Sequence, residues 1–447
     1  MVDFVRATEK TKQIVEKWEY FKDVNTATII RDVYGKIALL FDVSNPISDE
    51  DKKILEENLK KELGSFFQGR IYYKHDCRSD ILKVMVDEIE NLRIPEYGEE
   101  KWYVLERAVA KQAWIHCNLE ENSIWPYEQA ESGEKPKVVT FYSFKGGMGR
   151  TTALAATALS LAKQGKNVLM IDTDVEAPGL ATLFVDENSV RSGVVDYLLE
   201  YNLNYESIAI DDYLIQITDP VLTSEMKGNI FLIPSGVIDR DYLQKLARID
   251  FQDTVQGSLK KRICQLIEDA VDRIAQFCKI DYVLLDARAG FHDMGGIVTT
   301  QIPHGVVVFG KDTKQSWQGI RLVVNAISSV QKDRPLLAIV DSACGQNGVV
   351  STEEKQEFTK GSYMICSEAY YSDDDYQPGI EAEGEAHSPI FIPYQAALSV
   401  GVQLYSEGSL QKNEDLEQIK ALLMGKEYQQ IADRVMQWFG EGVQVDE

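Results

Sequence analysis

Cysteine and long apolar runs are both scarce in this sequence of 447 residues. The six cysteines are widely scattered and form no CxxC pair, so neither a disulfide framework nor a zinc site is indicated and reduced thiols are expected. No stretch approaches the ~18 continuous apolar residues of a membrane span, and the first residues lack the apolar core of a secretion signal. We therefore expect a cytoplasmic protein without a transmembrane segment.

Positive charge is also in short supply. The 47 Lys and Arg residues face 71 Asp and Glu residues, which gives a formal net charge of −24. A field of this sign repels phosphate backbones and anionic lipid headgroups unless a local basic patch overrides it, so non-specific nucleic-acid binding is disfavoured. A solubilising acidic surface is the simplest interpretation, and an acidic face directed at a basic partner is the alternative.

The chain is longer than the ~250–300 residues at which a single hydrophobic core stops growing, so we expect two units. Residues 1–117 contain an apolar run of strand length at 37–43 and leucines four residues apart at Leu55, Leu59 and Leu63. These patterns predict a small α/β domain. Residues 118–136 are polar and acidic and contain two prolines, which predicts a linker.

From residue 137 onward, apolar runs of strand length alternate with helical patterns, as in βαβ units. The predicted fold of residues 137–447 is therefore α/β, with a mostly parallel sheet flanked by helices. An insertion is expected at about 342–387. Within it, residues 370–385 are acidic and are predicted to form an exposed loop.

A glycine-rich loop joins an apolar strand at 138–144 to a helical pattern. Glycines allow positive φ angles and bring backbone N–H groups against phosphate oxygens, while the following helix N-terminus adds a positive dipole. A hydroxyl that directly follows the basic residue of such a loop can ligate Mg²⁺. A glycine-rich turn without a ligand is the alternative. The candidate nucleotide-binding residues of the loop are Lys145, Gly146, Gly147, Met148, Gly149, Arg150, Thr151 and Thr152.

Carboxylates end two later apolar strands. Asp172 and Asp174 close the strand that begins at Val168, and alternation places both on one side. Asp286 ends another apolar strand, as an aspartate does where it supports a magnesium shell beside bound phosphates. The alternative for the first pair is two solvated aspartates after a strand.

The glycine-rich loop closely resembles the deviant Walker A motif, KGGxGK[ST], of the ParA/MinD ATPases, which are P-loop NTPases of the SIMIBI class. In that family a lysine at the start of the loop reaches a phosphate bound by the partner subunit, and Lys145 stands at that position. The resemblance therefore implies a nucleotide-dependent homodimer. Arg150 replaces the family's second lysine, and its guanidinium is planar, bulkier and binds phosphate as a fork, so turnover can be slow.

The resemblance also assigns roles to the carboxylates. It implies that Asp172 and Asp286 support magnesium together with Thr151, and that Asp174 orients the attacking water. Lys145, Arg150 and Asp174 would then form the catalytic set.

The segment from Asp286 to Gly290 resembles the family's DxPAG turn, with Arg288 in the place of the proline. By this match the Gly290 N–H contacts the γ-phosphate, and residues 290–296 form the switch that senses its loss. Arg288 either contacts phosphate or a partner, or is an exposed structural arginine.

The base pocket is also assigned by resemblance. Asp341 stands where these ATPases usually end a strand in an asparagine that reads adenine, and Pro393 and Tyr394 belong to a segment whose backbone lines the base. An aspartate accepts from the adenine amino group and also suits the donors of guanine. We therefore expect ATP and Mg²⁺ as cofactors, with GTP not excluded.

Three functions are consistent with the sequence. The leading hypothesis is a dimerisation switch that binds ATP with Mg²⁺, hydrolyses it slowly and relays its state to a protein partner through residues 1–117. A non-hydrolysing nucleotide sensor or scaffold is the alternative favoured by Arg150 and Arg288, although the retained carboxylates oppose it. A bacterial-type tyrosine kinase shares deviant Walker motifs, but its usual tyrosine-rich tail is missing.

Overall fold

The computed structural model describes residues 2–441 except 97, 109, 116–134, 250–258, 331–333, 346–347, 372–376, 400 and 407–412. Nearly all of the linker predicted at 118–136 thus lies outside the described residues. Contacts divide the chain into two compact units, Met1–Val109 and Ala110–Glu447. The boundary drawn from the sequence is at 117, whereas the described residues 110–115 pack with the second unit.

The first unit is the small α/β domain that the sequence predicts. Its five-stranded sheet has the order β3-β2-β1-β5-β4, in which β1 pairs antiparallel with β2 and parallel with β5. Helices α1 and α2 cover one face of the sheet and α3 packs on the other. The elements are α1 (Phe4–Glu16), β1 (Val24–Arg31), β2 (Ile37–Val43), α2 (Asp49–Leu63), β3 (Phe67–Tyr73), α3 (Asp80–Leu92), β4 (Ile94–Pro95) and β5 (Trp102–Glu106).

The leucine spacing noted in the sequence lies on α2. Ser48 caps this helix by accepting a hydrogen bond from the Asp51 N–H at 3.2 Å, and acidic residues occupy the first turn, where the helix dipole favours them. Leu55, Leu59 and Leu63 are all buried against the sheet. A repeat of four residues therefore identified the buried face of the helix correctly.

The second unit contains an eight-stranded sheet with the order β13-β12-β11-β6-β10-β7-β9-β8, which is parallel except for the β8–β9 pair. Its elements up to β10 are α4 (Gln112–Ile115), β6 (Lys137–Ser143), α5 (Arg150–Lys163), β7 (Val168–Asp172), α6 (Leu180–Phe184), α7 (Val194–Asn204), β8 (Ile215–Gln216), α8 (Pro220–Thr223), β9 (Ile230–Ile233), α9 (Tyr242–Leu246), α10 (Leu259–Ile274) and β10 (Tyr282–Asp286). The remaining elements are α11 (Asp293–Thr300), β11 (Gly305–Gly310), α12 (Lys314–Ser328), β12 (Leu336–Cys344), α13 (Thr352–Ile365), β13 (Ile390–Pro393), α14 (Asn413–Leu423) and α15 (Lys426–Trp438).

Helices cover both faces of this sheet. Residues of α7, α10, α11 and α12 join one apolar core, and residues of α5, α14 and α15 join the other. Strands β7, β10 and β11 are buried along their whole length, which explains why they appear in the sequence as continuous apolar runs. The predicted mostly parallel sheet flanked by helices is confirmed. In the described part of the chain, no helix is both long and apolar enough to cross a membrane.

The acidic segment at 370–385 is only partly an exposed loop. Tyr370 and Tyr371 at its start are buried, and the Tyr371 hydroxyl lies 2.8 Å from Nδ1 of the buried His387 just beyond its end. Residues 372–376 lie outside the described residues. The prediction was wrong at Tyr370 and Tyr371, because a strongly acidic average conceals single aromatic residues that join the core.

Helix α12 supports the strand end from which the glycine-rich loop departs. Gly319 lies against Phe144, and a Cβ atom at position 319 would come 2.1 Å from Phe144 Cγ. We expect Gly319→Ala to destabilise the second unit by about 2 kcal/mol, because the overlap outweighs the gain of about 1 kcal/mol in helix propensity. Thermal unfolding checks this. Phe144→Ala added to Gly319→Ala should recover part of the loss, and an unchanged melting temperature of the single variant would contradict the packing described.

Candidate nucleotide-binding site

The glycine-rich loop leaves the carboxyl end of β6 and enters α5 directly. Gly147 and Gly149 have φ angles of +73° and +66°, which residues with a Cβ rarely adopt, and Gly149 is the N-cap of the helix. The loop therefore presents its backbone N–H groups and the positive end of the α5 dipole at one edge of the sheet. An anion such as a phosphate group suits this position.

Lys145 and the glycines of the loop are exposed. The Lys145 side chain has no hydrogen bond or ion pair with any described residue of the chain, whereas Met148 is buried and its carbonyl accepts a hydrogen bond from Ser342 Oγ. Thr152 is partly buried in the first turn of α5. The loop is thus anchored on its inner side, and its first residue is available to an outside ligand.

Arg150 points inward rather than toward the mouth of the loop. Its Nε donates to Asp286 Oδ1 at 2.6 Å, and one terminal nitrogen donates to Asp174 Oδ2 at 3.1 Å. Arg150 is 8% exposed and both carboxylates are buried. Burial lowers the pKa of Arg150, but Asp286 and Asp174 together outweigh it and raise the pKa, so the side chain is a buried cation. The guanidinium thus pairs with both carboxylates to which the resemblance assigns catalysis and metal binding, and its single charge offsets one of their two charges.

Thr151 and Asp286 lie together, because the Thr151 hydroxyl donates to Asp286 Oδ2 at 2.7 Å. Burial raises the pKa of Asp286, while Arg150 and Thr151 act in the opposite direction. A hydroxyl and a carboxylate at the N-terminus of α5 fit Mg²⁺ only when phosphate oxygens and water complete its shell. Consistent with this, the described residues contain no group of three or more His, Cys, Asp or Glu side chains that could hold a metal ion by themselves.

Asp172 is fully engaged by the backbone. Its Oδ1 accepts from the Asp174 N–H at 3.1 Å, and its Oδ2 accepts from the N–H groups of Gly179 and Leu180 at 3.1 and 3.0 Å. Complete burial and the neighbouring carboxylates raise the pKa of Asp172 despite these donors. In this structure Asp172 fixes the turn that carries Asp174, and the metal-supporting role implied by resemblance would require these bonds to rearrange.

The turn after β10 is bonded to the start of the loop. The Gly290 N–H, which the resemblance assigns to the γ-phosphate, donates to the Ser143 carbonyl at 3.1 Å, and the Tyr142 hydroxyl donates to the Gly290 carbonyl at 3.1 Å. Gly290 has a φ of +83°. Its N–H is therefore not free to donate to a phosphate in the structure as it stands.

Glu176 joins the two turns that flank the loop. Its carboxylate forms an ion pair with Arg288 at 2.5 Å and lies 3.4 Å from His292 Nδ1. Burial, followed by Arg288, lowers the pKa of His292, so the imidazole is neutral near pH 7. The Arg288–Glu176 ion pair supports the structural interpretation of Arg288. Sequence reasoning missed Glu176 and Ser342, and only their closeness to the predicted turn and strand end could have indicated them.

The predicted base pocket lies at the ends of two neighbouring strands. Asp341 and Pro393 belong to β12 and β13, and the Tyr394 N–H donates to the Cys344 carbonyl at 3.0 Å, so the structure brings the three predicted residues to one corner of the sheet. Asp341 is 4% exposed. Burial, with a smaller contribution from Asp312, raises the pKa of Asp341 to about 7. This carboxyl group is therefore close to half protonated near neutral pH.

Comparison with known proteins finds similarities over the part of the chain that carries this site. A family model described as an AAA domain matches residues 136–339. An ATP-binding protein of Methanocaldococcus jannaschii is 25% identical over 229 residues, which cover 51% of this chain and 73% of that protein. The septum site-determining protein MinD of Helicobacter pylori is 29% identical over 153 residues, 34% of this chain and 45% of that protein. This chain thus spans less than half the length of that MinD.

Solved structures give more distant matches. MinD complexed with Mg-ADP from Pyrococcus horikoshii has a TM-score of 0.42 and 15% identity, covering 69% of this chain and all of that one. The MinC:MinD cell division complex of Aquifex aeolicus has a TM-score of 0.41 and 17% identity, covering 70% and 99% of the two chains. Over residues 136–339, the family match and the sequence relatives support a similarity of this chain to P-loop ATPases of the ParA/MinD type.

Proposed function

We propose that this protein is a nucleotide-dependent dimerisation switch that binds ATP with Mg²⁺, hydrolyses it slowly and relays its state to a protein partner. The observation that carries the proposal is that the two cations of the loop, Lys145 and Arg150, have different surroundings. Lys145 is exposed and has no partner among the described residues, while Arg150 is buried between Asp174 and Asp286. An exposed lysine at the mouth of a phosphate loop can reach a second subunit's nucleotide.

Slow turnover follows from the same geometry. Phosphoryl transfer needs positioned charge rather than a covalent nucleophile, and Asp174 would orient the attacking water. In the structure Asp174 Oδ2 is held by Arg150 at 3.1 Å and its Oδ1 accepts from the Ala177 N–H at 3.1 Å. Asp174 must exchange the arginine for water before it can act. Magnesium, when held by Thr151 and Asp286, would supply charge neutralisation at the phosphate oxygens.

A partner surface is available on the first unit. Helix α3 exposes Ile81 and Val84, which are 83% and 67% accessible, one helical turn apart. Adjacent exposed apolar side chains on a charged helix are typical of a contact surface for another protein. These two residues support residues 1–117 as the part that contacts the partner.

The second candidate is a nucleotide sensor that binds without hydrolysis. The buried ion pairs of Arg150 favour it, because they hold the catalytic carboxylate away from water. Measured turnover separates the two candidates.

The first prediction concerns assembly. Wild-type protein should change from monomer to dimer mass in light scattering when ATPγS and Mg²⁺ are added, and Lys145→Ala should remain monomeric with an unchanged melting temperature. The exposed lysine at the end of α5 gives a matched control, since Lys163 pairs with Glu225 at 3.4 Å and Lys163→Ala should still dimerise. A constant wild-type mass with nucleotide would overturn the dimerisation proposal.

A second prediction concerns turnover. Asp174→Ala should lower phosphate release at least about 100-fold while nucleotide still binds, because the group that orients the water is lost. Release is measured with ATP and separately with GTP, both with Mg²⁺. Asp186→Ala, which removes a carboxylate bonded within its own turn to Asn188, is the control. Release by Asp174→Ala at the wild-type rate would exclude the assigned role, and tight binding without wild-type turnover would favour the sensor.

The raised pKa of Asp341 generates a third prediction. A protonated carboxyl both donates and accepts, as an asparagine amide does, and suits the adenine edge, whereas a carboxylate only accepts and suits guanine. Because the group ionises at a pKa of about 7, ATP affinity should fall between about pH 6 and pH 8 and GTP affinity should rise. Asp341→Asn should make ATP binding independent of pH over this range.

Thermal stability offers an independent check of the same group. The folded state retains the Asp341 proton above the usual aspartate pKa, so its stabilising contribution is present at low pH and is lost as the pH rises through about 7. Asp341→Asn should therefore melt close to the wild type near pH 4, gain on it as the pH rises toward 7, and melt above it at pH 8. Parallel melting curves of the two proteins across this range would show that Asp341 is already ionised.

A further inference from the structure

Residues 111–115, hereafter the clasp, bind the turn that runs from Gly290 into α11. The backbone N–H of Lys111 donates to Asp293 Oδ1, and its Nζ lies 3.1 Å from Asp293 Oδ2. The Trp114 indole N–H donates to the His292 carbonyl at 2.8 Å. Lys111 and Trp114 therefore hold two consecutive residues of the turn by three polar contacts.

Packing reinforces these contacts. The Trp114 ring meets Phe291 edge-on at 5.0 Å between centroids and lies 5.5 Å from the Tyr142 ring. It covers Gly296 so closely that a Cβ atom there would come 2.8 Å from the indole nitrogen. The Thr300 hydroxyl donates to the Ala113 carbonyl at 3.1 Å. The clasp thus contacts α11 along its length as well as the turn before it.

The backbone of the clasp is strained where it meets Asp293. Lys111 has a φ of +66°, and it is one of two non-glycine residues with positive φ in the described part of the chain. A residue with a side chain is held in this conformation only where its surroundings impose it. The same residue, Lys111, forms both bonds to Asp293, so the backbone strain lies at the contact with the turn.

The opposite side of the same turn contacts the nucleotide loop. Gly290 is bonded to Ser143 and Tyr142, and the Phe291 ring lies 5.4 Å from that of Phe144. A small cleft of about 60 Å³ lies between the clasp, the turn and Glu176. The turn is therefore fixed between the phosphate loop and the clasp, with space beside it into which it can shift.

By resemblance, the Gly290 N–H would contact the third phosphate of a bound nucleoside triphosphate, but in this structure it donates to the Ser143 carbonyl. Contact with that N–H requires the turn to shift, and a shift of His292 and Asp293 stretches their bonds to the clasp. A diphosphate is shorter and makes no such demand.

We propose that Lys111 and Trp114 are positioning residues that set the preference of the site between nucleoside triphosphate and nucleoside diphosphate. They hold the turn in its present position and so lower the affinity for the triphosphate. This inference rests on the proposed nucleotide-binding function. Because Ala110 follows Val109 directly, the clasp also gives the first unit a covalent connection to a segment that responds to the third phosphate.

The test is a pair of binding titrations, with ATPγS·Mg²⁺ and with ADP·Mg²⁺, on wild type, Trp114→Phe and Lys111→Met. Phenylalanine keeps an aromatic ring at this position and removes the indole donor. Loss of one hydrogen bond, about 1 kcal/mol, should raise the ratio of the ADP to the ATPγS dissociation constant roughly fivefold, with ADP affinity unchanged. Trp102→Phe is the matched control, because that indole donates to Glu16 within the first unit at 3.1 Å, and its ratio should equal that of the wild type.

The outcomes separate this inference from the proposed function. Wild-type binding of both nucleotides with an unchanged or lower ratio in Trp114→Phe and Lys111→Met would overturn the inference and leave the nucleotide switch standing. Absence of binding by the wild type would overturn both. A purely structural role of the clasp would weaken ADP and ATPγS binding equally, which also contradicts the proposal. Using two variants guards against misfolding, since Lys111 is partly exposed and its substitution leaves the apolar packing intact.

Discussion

The guanidinium of Arg150 makes this nucleotide site possible in its present form. Asp172, Asp174 and Asp286 meet at one edge of the sheet and all three are buried. Buried carboxylates repel one another and lose hydration, and removing the partner of a buried charge costs about 3–5 kcal/mol. Arg150 is the charged partner of Asp174 and Asp286, and three backbone N–H groups are the hydrogen-bond partners of Asp172. The chain thus supplies part of the charge compensation at this edge of the sheet with its own side chain.

In such a site, a bound phosphate and the two carboxylates would compete for the same Arg150 guanidinium. The same guanidinium cannot keep both carboxylates and also form a fork on a phosphate, because its donors lie in one plane with fixed directions. A lysine in this place would be a point charge that leaves Asp174 without a fixed partner. The carboxylates favour turnover, whereas the arginine in the place of the lysine lowers its rate because it occupies them. Together these features favour a slow switch over a fast enzyme.

The sequence predicted the place of the site well because of the geometry of parallel sheets. Strands β6, β7 and β10 are neighbours, so residues at their carboxyl ends converge wherever they stand in the chain. Apolar runs locate such strand ends, and Asp174 and Asp286 were found in this way. The direction of the Arg150 side chain could not be predicted, since it depends on carboxylates 24 and 136 residues away. The backbone bonds of Asp172 could not be predicted either, since they depend on the path of the turn that follows it.

The clasp shows a different limit of prediction. The sequence places its residues within the predicted 1–117 domain, since periodicity does not reveal which core receives a side chain. Gly296 packs against Trp114, because the absence of a Cβ atom at this position leaves room for the indole. In the sequence, Gly296 appears only as one of several glycines in the predicted switch. A loop that must respond to one phosphate has to be held against movement by contacts that are individually weak. Two hydrogen bonds, a partly exposed ion pair and a ring over a glycine satisfy that condition, whereas burial of the whole turn in the core would prevent it from responding.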